Sequence, residues 1–478
     1  MEIVAANIPG SSWLGSLCHR RIDMSDLSSR LSSTAQVYLP GSDGYTKATT
    51  RWSNLDTPGV NVAVLPGVED DIAEIVKYAN EKNLPFLAQS GGHGAITTVG
   101  KMQNGIEIWM NQLSSVDISD DGKTAVVGGG TLSKTVTDTL WAAGKQTVTG
   151  GLGGSHGFLQ GRHGLISDQF VSLNMVFSDG TTQIVDENSD LWWAVRGAGH
   201  NFGIVTSATI KIHDIQHRDW AYASFLFTGD KVEGLYDNIN KHLLGTQPVD
   251  VINYSFFFNL PDVDPTKPVI MFYILQEGVT AVDTTYTALF QKLGPVATDA
   301  AGGSYTDLPA WTGNGNESPP CQKAGLVNVR FPIDVESYNI AAQRKAYDLF
   351  ASTTQQNTAL NNSLFLFEGY STQGVKAVSE KTTAFPFRSD SLLLPPLITY
   401  APAGSDLDKA AAKLGNDLRQ ILYEGTGKSE LHTYVNYAFG DEKRENWYGY
   451  EQWRQERLLA LKNKYDPLRK FSFYAPIA

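Results

Sequence analysis

The chain has 478 residues and a mass of 52.2 kDa, and at roughly 150 residues per domain that length sets two to four lobes. Hydrophobic residues make up 42% and charged residues only 18%, which excludes a disordered chain. The formal charge of 38 − 50 = −12 disfavours nucleic acid and anionic membrane surfaces as partners, so the expected ligand is a small molecule.

From Val62 the apolar pattern predicts a strand over 62–65, a helix over 69–83 with Ile72, Ile75, Val76 and Ala79 on one face, and a strand over 85–89. The second strand of this β-α-β unit runs into Ser90-Gly91-Gly92-His93-Gly94 instead of a helix. Strands are expected at 106–110 and 124–127, then an amphipathic helix carrying Leu132, Val136 and Leu140, then the glycine-rich stretch Gly150 to Gly157. Strands near 171–177 and 204–213 close a first region at about residue 217.

Beyond it, aromatic strands at 220–227, 251–258 and 269–276 are interleaved with amphipathic helices at 282–293, 340–351 and 407–423. This pattern suggests an antiparallel sheet covered on one face by helices, a floor for an apolar cavity. A strand over 432–438 and a helix over 450–465, ended by Asp466-Pro467, complete the chain. The expected class is α+β, divided into residues 1–217, with a core of about 57–217, then 218–430 and 431–478.

Cys18 and Cys321 can form at most one bridge and no cysteine zinc site. The first ten residues lack the basic start and apolar run of a secretory signal, which favours a cytoplasmic location, and no segment is apolar for long enough to span a bilayer. Oligomeric state leaves no mark in the sequence.

The glycine strings carry the chemistry. Ser90 to Gly94, at the end of a buried strand, can let backbone N–H groups cradle a pyrophosphate, or can be an ordinary tight turn with an exposed histidine. A G-x-G-x-x-G fingerprint fails at Gly151-x-Gly153, followed by His156, and at Gly197-x-Gly199, followed by Phe202, and no stretch satisfies the P-loop pattern G-x-x-x-x-G-K-S/T. Gly153-Gly154-Ser155-His156-Gly157 satisfies G-x-S-x-G, so a hydrolase using Ser155 is a rival, although the flanking glycines suit neither the strand nor the helix that such an elbow requires. His156, His163 and His200 lack metal-ligand spacing, so no metal site is expected. Asp168, Glu187 and Asp190 read as solvated carboxylates in polar turns.

Six strings in order resemble the FAD-linked oxidases of the vanillyl-alcohol oxidase/berberine-bridge-enzyme type, common in fungal secondary metabolism. They are Val64-Leu-Pro-Gly67, Ser90-Gly-Gly-His93, Leu159-Gln-Gly-Arg-His-Gly-Leu-Ile-Ser-Asp168, Leu191 to Val205, Tyr434-Val-Asn-Tyr437 and Leu461 to Pro467. The resemblance implies a two-lobed FAD-binding domain of the PCMH type, built from the first half and the C-terminal tail, with the middle region as an inserted substrate domain. It implies that Ser90, Gly91, Gly92, His93, Gly94, Gly153, Gly154, Gly157, His163, Gly203, Ile204, Val205 and Asn436 bind FAD. Relatives often attach the flavin through the histidine matching His93. Many add a cysteinyl bond from a longer loop before the glycines matching Leu152 to Gly154. Here Gly150-Gly151 runs straight into that string, so one covalent link at most, through His93, is expected. Trp193 and the loop from Arg196 to Gly203 look like flavin-wall residues.

The implied reaction is hydride transfer from a small organic substrate to the flavin, with dioxygen as acceptor, while a base removes an O–H or N–H proton. The resemblance nominates Tyr437 as base, with Tyr434 and Asn436 nearby; a strand would place Tyr434 and Asn436 on one side and Tyr437 on the other. Glu368, between the apolar residues of Leu364 to Gly369, is the second candidate. The aromatic strand Tyr254 to Phe258 suits a hydrophobic or aromatic substrate. A flavin-dependent cyclase, closing a ring without net oxidation, is the alternative use of the same pocket.

Overall fold

The computed structural model describes residues 24–150, 156–245 and 248–477. Its first sheet consists of β1 (Gln36–Tyr38), β2 (Val60–Leu65), β3 (Phe86–Gln89) and β4 (Gly105–Trp109), in the spatial order β1-β2-β4-β3. Strands β2, β4 and β3 are parallel, so the expected β-α-β unit is present but β4 lies between its two strands. Val62, Val64, Ile106 and Ile108 are fully buried, as parallel strands covered on both faces require. Helix α1 (Glu69–Glu81) packs Ile72, Ile75, Val76 and Ala79 into this core. Its first turn is capped by Asp71, which accepts from the backbone N–H of Gly67 at 2.7 Å, of Val68 at 3.1 Å and of Ser32 at 2.6 Å.

The second sheet is antiparallel: β5 (Val116–Ile118), β6 (Thr124–Gly128), β7 (Phe170–Val176), β8 (Thr182–Val185) and β9 (Ile204–Lys211), ordered β5-β6-β9-β7-β8. The third has nine strands, all antiparallel: β10 (Asp219–Phe227), β11 (Val251–Phe258), β12 (Val269–Glu277), β13 (Ala297–Ser304), β14 (Val327–Arg330), β15 (Asp334–Val335), β16 (Leu364–Gly369), β17 (Leu392–Leu393) and β18 (Pro396–Tyr400).

The period of two sorts the side chains of this sheet. Phe225, Phe257, Phe272, Phe365 and Phe367 face helices α2 (Val232–Ile239), α3 (Thr284–Lys292), α4 (Ile340–Gln356) and α5 (Ser405–Thr426). Each such buried ring contributes about 1.5–3 kcal/mol. The alternate residues Trp220, Tyr222, Ile252, Tyr254 and Leu275 face the other way, where they meet Leu159, Leu165, Tyr434 and Tyr437. The candidate site lies on that second face.

The tail folds back onto the first half. In helix α6 (Gln452–Tyr465) Lys462 is fully buried, and its ammonium donates to Asn201 O, Phe471 O and Asp466 Oδ2, each at 2.7 Å. Asn201 in turn donates to the Tyr448 hydroxyl at 3.0 Å and to Ala475 O at 3.2 Å. The strand expected over 432–438 is not formed: residues Val435–Tyr437 make one 3₁₀ turn. Its flanks are tied by separate bonds, Asp334 N–H to His432 O at 2.9 Å and Thr433 N–H to Asn446 O at 3.0 Å, and among the described residues no strand pairs with it.

Candidate active site

In the turn that follows β3, Gly92 takes a φ of +68°, a region that favours glycine, and a Cβ there would stand 3.1 Å from both the Gln89 amide carbon and Lys323 Nζ. The turn carries His93 beneath Trp52, whose ring centroid is 6.3 Å away and whose backbone N–H donates to Gly92 O at 3.1 Å. His93 Nε2 lies 3.3 Å from Cys321 O. Burial pushes His93 below the usual imidazole range, so the ring is neutral near neutral pH.

Arg330, the last residue of β14, is 3% exposed. Its guanidinium carbon stands 4.3 Å from the Trp52 ring centroid and 4.5 Å from that of Tyr437, joining the histidine loop to the 3₁₀ turn by two cation–π contacts. Among the described residues it makes no ion pair. The Tyr437 hydroxyl donates to Glu368 Oε1 at 3.0 Å, and the Tyr370 hydroxyl donates to Glu368 Oε2 at 2.9 Å. Burial raises the Glu368 carboxyl above its ordinary value, against the two tyrosine bonds and Arg330, which lower it. Burial and the Glu368 charge raise Tyr437 well above an ordinary phenol, while Arg330 opposes them. The proton of this pair therefore sits on the tyrosine.

The 3₁₀ turn corrects the expected side-chain directions. Tyr434 and Tyr437 meet edge to face with centroids 5.0 Å apart, and Asn436 donates to the Tyr434 hydroxyl at 2.8 Å. The Tyr434 ring also meets His156, 4.8 Å away. Burial pulls His156 down to about 4, so it is neutral; its Nδ1 pairs with Gln160 Oε1 at 2.9 Å. Phe158, Tyr254, Tyr370, Arg330, Glu368 and Tyr437 line a cleft with about 410 Å³ of space not filled by atoms, part of it open to solvent.

Other expected residues stand apart from this cleft. His163 stacks on His213 at 3.7 Å with the rings 7° from parallel. Gly203 precedes β9 and Ile204 and Val205 begin it, where Ile204 enters the core of the first sheet and Val205 packs on that of the tail. Trp193 is a core anchor, donating to Lys381 O at 3.0 Å beneath Arg457. Gly157 bridges to Gly150, whereas Gly153, Gly154 and Ser155 lie outside the described residues, as does Cys18. Asp168 is not a solvated carboxylate: its side chain is 5% exposed and pairs with Arg388 through bonds of 2.8 and 2.9 Å. Sequence reasoning missed Trp52 and Arg330, whose partners are far away in sequence, and Tyr370, which stands two residues from Glu368 but outside the apolar run that drew notice to it.

The residues fit a flavin nucleotide. Gln89 Oε1 is buried beside Gly92, and His156 Nε2 beside Tyr434, both without a hydrogen-bond partner among the described residues, so a polar ligand would satisfy them. Ser90 to Gly94 could hold phosphates, and the Trp52–Arg330–Tyr437 stack could border the ring system. Among the described residues no group of His, Cys, Asp and Glu could hold a metal ion, and no helix is long and apolar enough to cross a membrane.

Two family models match the chain: an FAD binding domain over residues 60–186 and a berberine and berberine-like domain over residues 433–478. The FAD-linked oxidoreductase chyH of Penicillium rubens is 54% identical over 484 residues, covering 99% of this chain and 96% of the relative. The FAD-linked oxidoreductase chry5 of Gibberella zeae is 53% identical over 486 residues, covering 97% and 96%. Among solved structures, a chitooligosaccharide oxidase superposes with a TM-score of 0.78 at 20% identity, covering 95% of this chain and 98% of the other. The Physcomitrella patens BBE-like 1 protein gives 0.76 at 20% identity, covering 95% and 99%, and both bear on the fold alone. With the antiparallel sheet of the middle region and the tail folded back on the first half, these matches make the chain a member of the berberine-bridge-enzyme-like family of FAD-linked oxidoreductases.

Proposed function

We propose that the enzyme oxidises a small apolar or aromatic molecule, taking a hydride from a C–H bond and a proton from a neighbouring O–H or N–H, with dioxygen as final acceptor. Residues 1–217 and 431–478 serve the cofactor in this reading, and 218–430 the substrate. Bound FAD supplies the two-electron acceptor, and His93 carries it covalently, without a cysteinyl link.

The observation that carries the reading is the pair Tyr437–Glu368 at 3.0 Å on the wall of an aromatic cleft. Tyr437 and Glu368 act as one path. The Tyr437 oxygen takes the substrate proton while its own hydrogen passes to Glu368 Oε1, so a phenol with a raised pKa never has to exist free as phenolate. Arg330, over the Tyr437 ring, favours the negative charge that grows there. Tyr370 holds the second Glu368 oxygen and fixes the carboxylate plane. Phe158 and Tyr254 exclude water and orient a flat substrate.

The test is anaerobic mixing of the purified enzyme with aromatic alcohols and amines. Bleaching of the flavin by at least one, followed on admitting air by recovery of colour and formation of hydrogen peroxide, is the expected result. A product of unchanged mass with no oxygen consumed would indicate ring closure without oxidation instead.

A further inference from the structure

Residues 312–326 form a strap that leaves the substrate-binding sheet, crosses the histidine loop and returns into β14. The strap is pinned at several points. The Trp52 indole N–H donates to Pro320 O at 2.7 Å, the Lys323 ammonium donates to Thr50 O at 2.9 Å, and Asn54 N–H donates to Leu326 O at 3.0 Å. Pro319 and Pro320 stiffen the turn at the first pin, and Cys321 N–H closes it on Ser318 O at 2.9 Å. The turn presents Cys321 O to His93 Nε2 at 3.3 Å.

A carbonyl oxygen only accepts, so in this contact Nε2 must carry the proton. In a neutral imidazole that assignment leaves the lone pair on Nδ1, because the partner of one ring nitrogen sets the state of the other. Burial keeps His93 neutral. Space at Nδ1 is also guarded: a Cβ on Gly91 would lie 3.2 Å from it, and among the described residues no hydrogen bond reaches it.

We infer that the Pro319–Cys321 turn is the positioning element for covalent flavin attachment: the Cys321 carbonyl holds the His93 proton on Nε2 and leaves Nδ1 as the bond-forming atom. This rests on the histidyl linkage proposed above. In the step, Nδ1 bonds to the carbon of a methyl on the benzenoid ring. The methyl gives up one proton and the alkylated imidazole the other; the flavin takes both with two electrons. Dioxygen then accepts the two electrons and two protons, so that one FAD, one histidine and one dioxygen give one histidyl-FAD and one hydrogen peroxide. A segment of the substrate-binding half thus controls loading of the cofactor.

The test uses full-length apoprotein from a riboflavin-starved host, mixed with FAD in air. Protein-bound flavin is followed by fluorescence after denaturation and by mass. Trp52→Phe keeps a ring over Arg330 but removes the donor to Pro320, and Lys323→Met removes the second pin. Each is expected to slow attachment, measured at saturating FAD, roughly three- to tenfold, the effect of one hydrogen bond. In ¹⁵N-histidine-labelled native apoprotein, with His93 identified by its loss in His93→Gln, the proton is expected on Nε2; this reading stands even if a variant fails to fold. A proton on Nδ1, or attachment at the native rate in both folded variants, overturns the inference. Native protein that never retains flavin after denaturation removes the linkage itself, a separately visible outcome.

Discussion

Replacing Tyr437 by phenylalanine removes one oxygen from a buried ring and leaves the ring against Arg330 at 4.5 Å and Tyr434 at 5.0 Å. The packing cost is small. What is lost is the 3.0 Å bond to Glu368, and a hydrogen bond to a charged group contributes about 1.5–3 kcal/mol at most. Glu368 keeps its bond from Tyr370, so the carboxylate is not stranded. The kinetic cost is larger, because the substrate proton loses its first acceptor. A positioned base contributes roughly 10²- to 10⁴-fold, or about 3–5 kcal/mol of barrier. The assay is the anaerobic rate of flavin bleaching, measured for Tyr437→Phe, Glu368→Gln and the double variant with a substrate that reduces the native enzyme. If the two residues form one path, the double variant is about as slow as the slower single one. Flavin reduction within about threefold of native in Tyr437→Phe, or a double effect equal to the product of the single ones, would refute the shared path.

Three further outcomes follow from the same geometry. Glu368 works ionised, so activity falls as pH drops through its pKa; burial raises that pKa and the Tyr370 bond lowers it, so Tyr370→Phe should move the acid limb of the pH–rate profile to higher pH. Lys462→Met leaves the Asp466 carboxylate, at 0% exposure, without its counter-ion and held only by the backbone N–H groups of Lys470 and Phe471, and should cost about 3–5 kcal/mol in chemical denaturation, part of it recovered by adding Asp466→Asn. Gly92→Ala places a side chain at a φ of +68° against Gln89 and Lys323, a backbone cost of roughly 1–2 kcal/mol; it should lower the FAD-to-protein ratio that survives gel filtration.

The sequence carried local structure well where one physical period ruled. Ile72, Ile75, Val76 and Ala79 mark the buried face of α1, and the alternation in 251–258 sends Phe257 to the helices and Tyr254 to the cleft. The segment 432–438 misleads because His-Thr-Tyr-Val-Asn-Tyr alternates like a strand; its flanking backbone groups are taken by Asn446, later in the tail, and by Asp334, in the distant strand β15. Asp168 looks solvated because its neighbours are polar, while its partner Arg388 comes from 220 residues away. His93 was nominated by the family resemblance of Ser90 to His93, since the glycines alone fit an ordinary turn equally well, and Glu368 by the oddity of a carboxylate among apolar residues. Arg330 was not, since a cation between two rings is defined only by rings that folding brings from residues 52 and 437.

The central claim is that the glycine turn after β3 holds a flavin through its histidine. The visible spectrum of the purified chain before and after acid precipitation tests it, with His93→Ala alongside. A yellow native protein whose colour stays with the precipitate, and a variant whose colour passes into the supernatant, is the predicted result. A native protein that is colourless and takes up no added FAD, or a variant that still holds its flavin in acid, would contradict it.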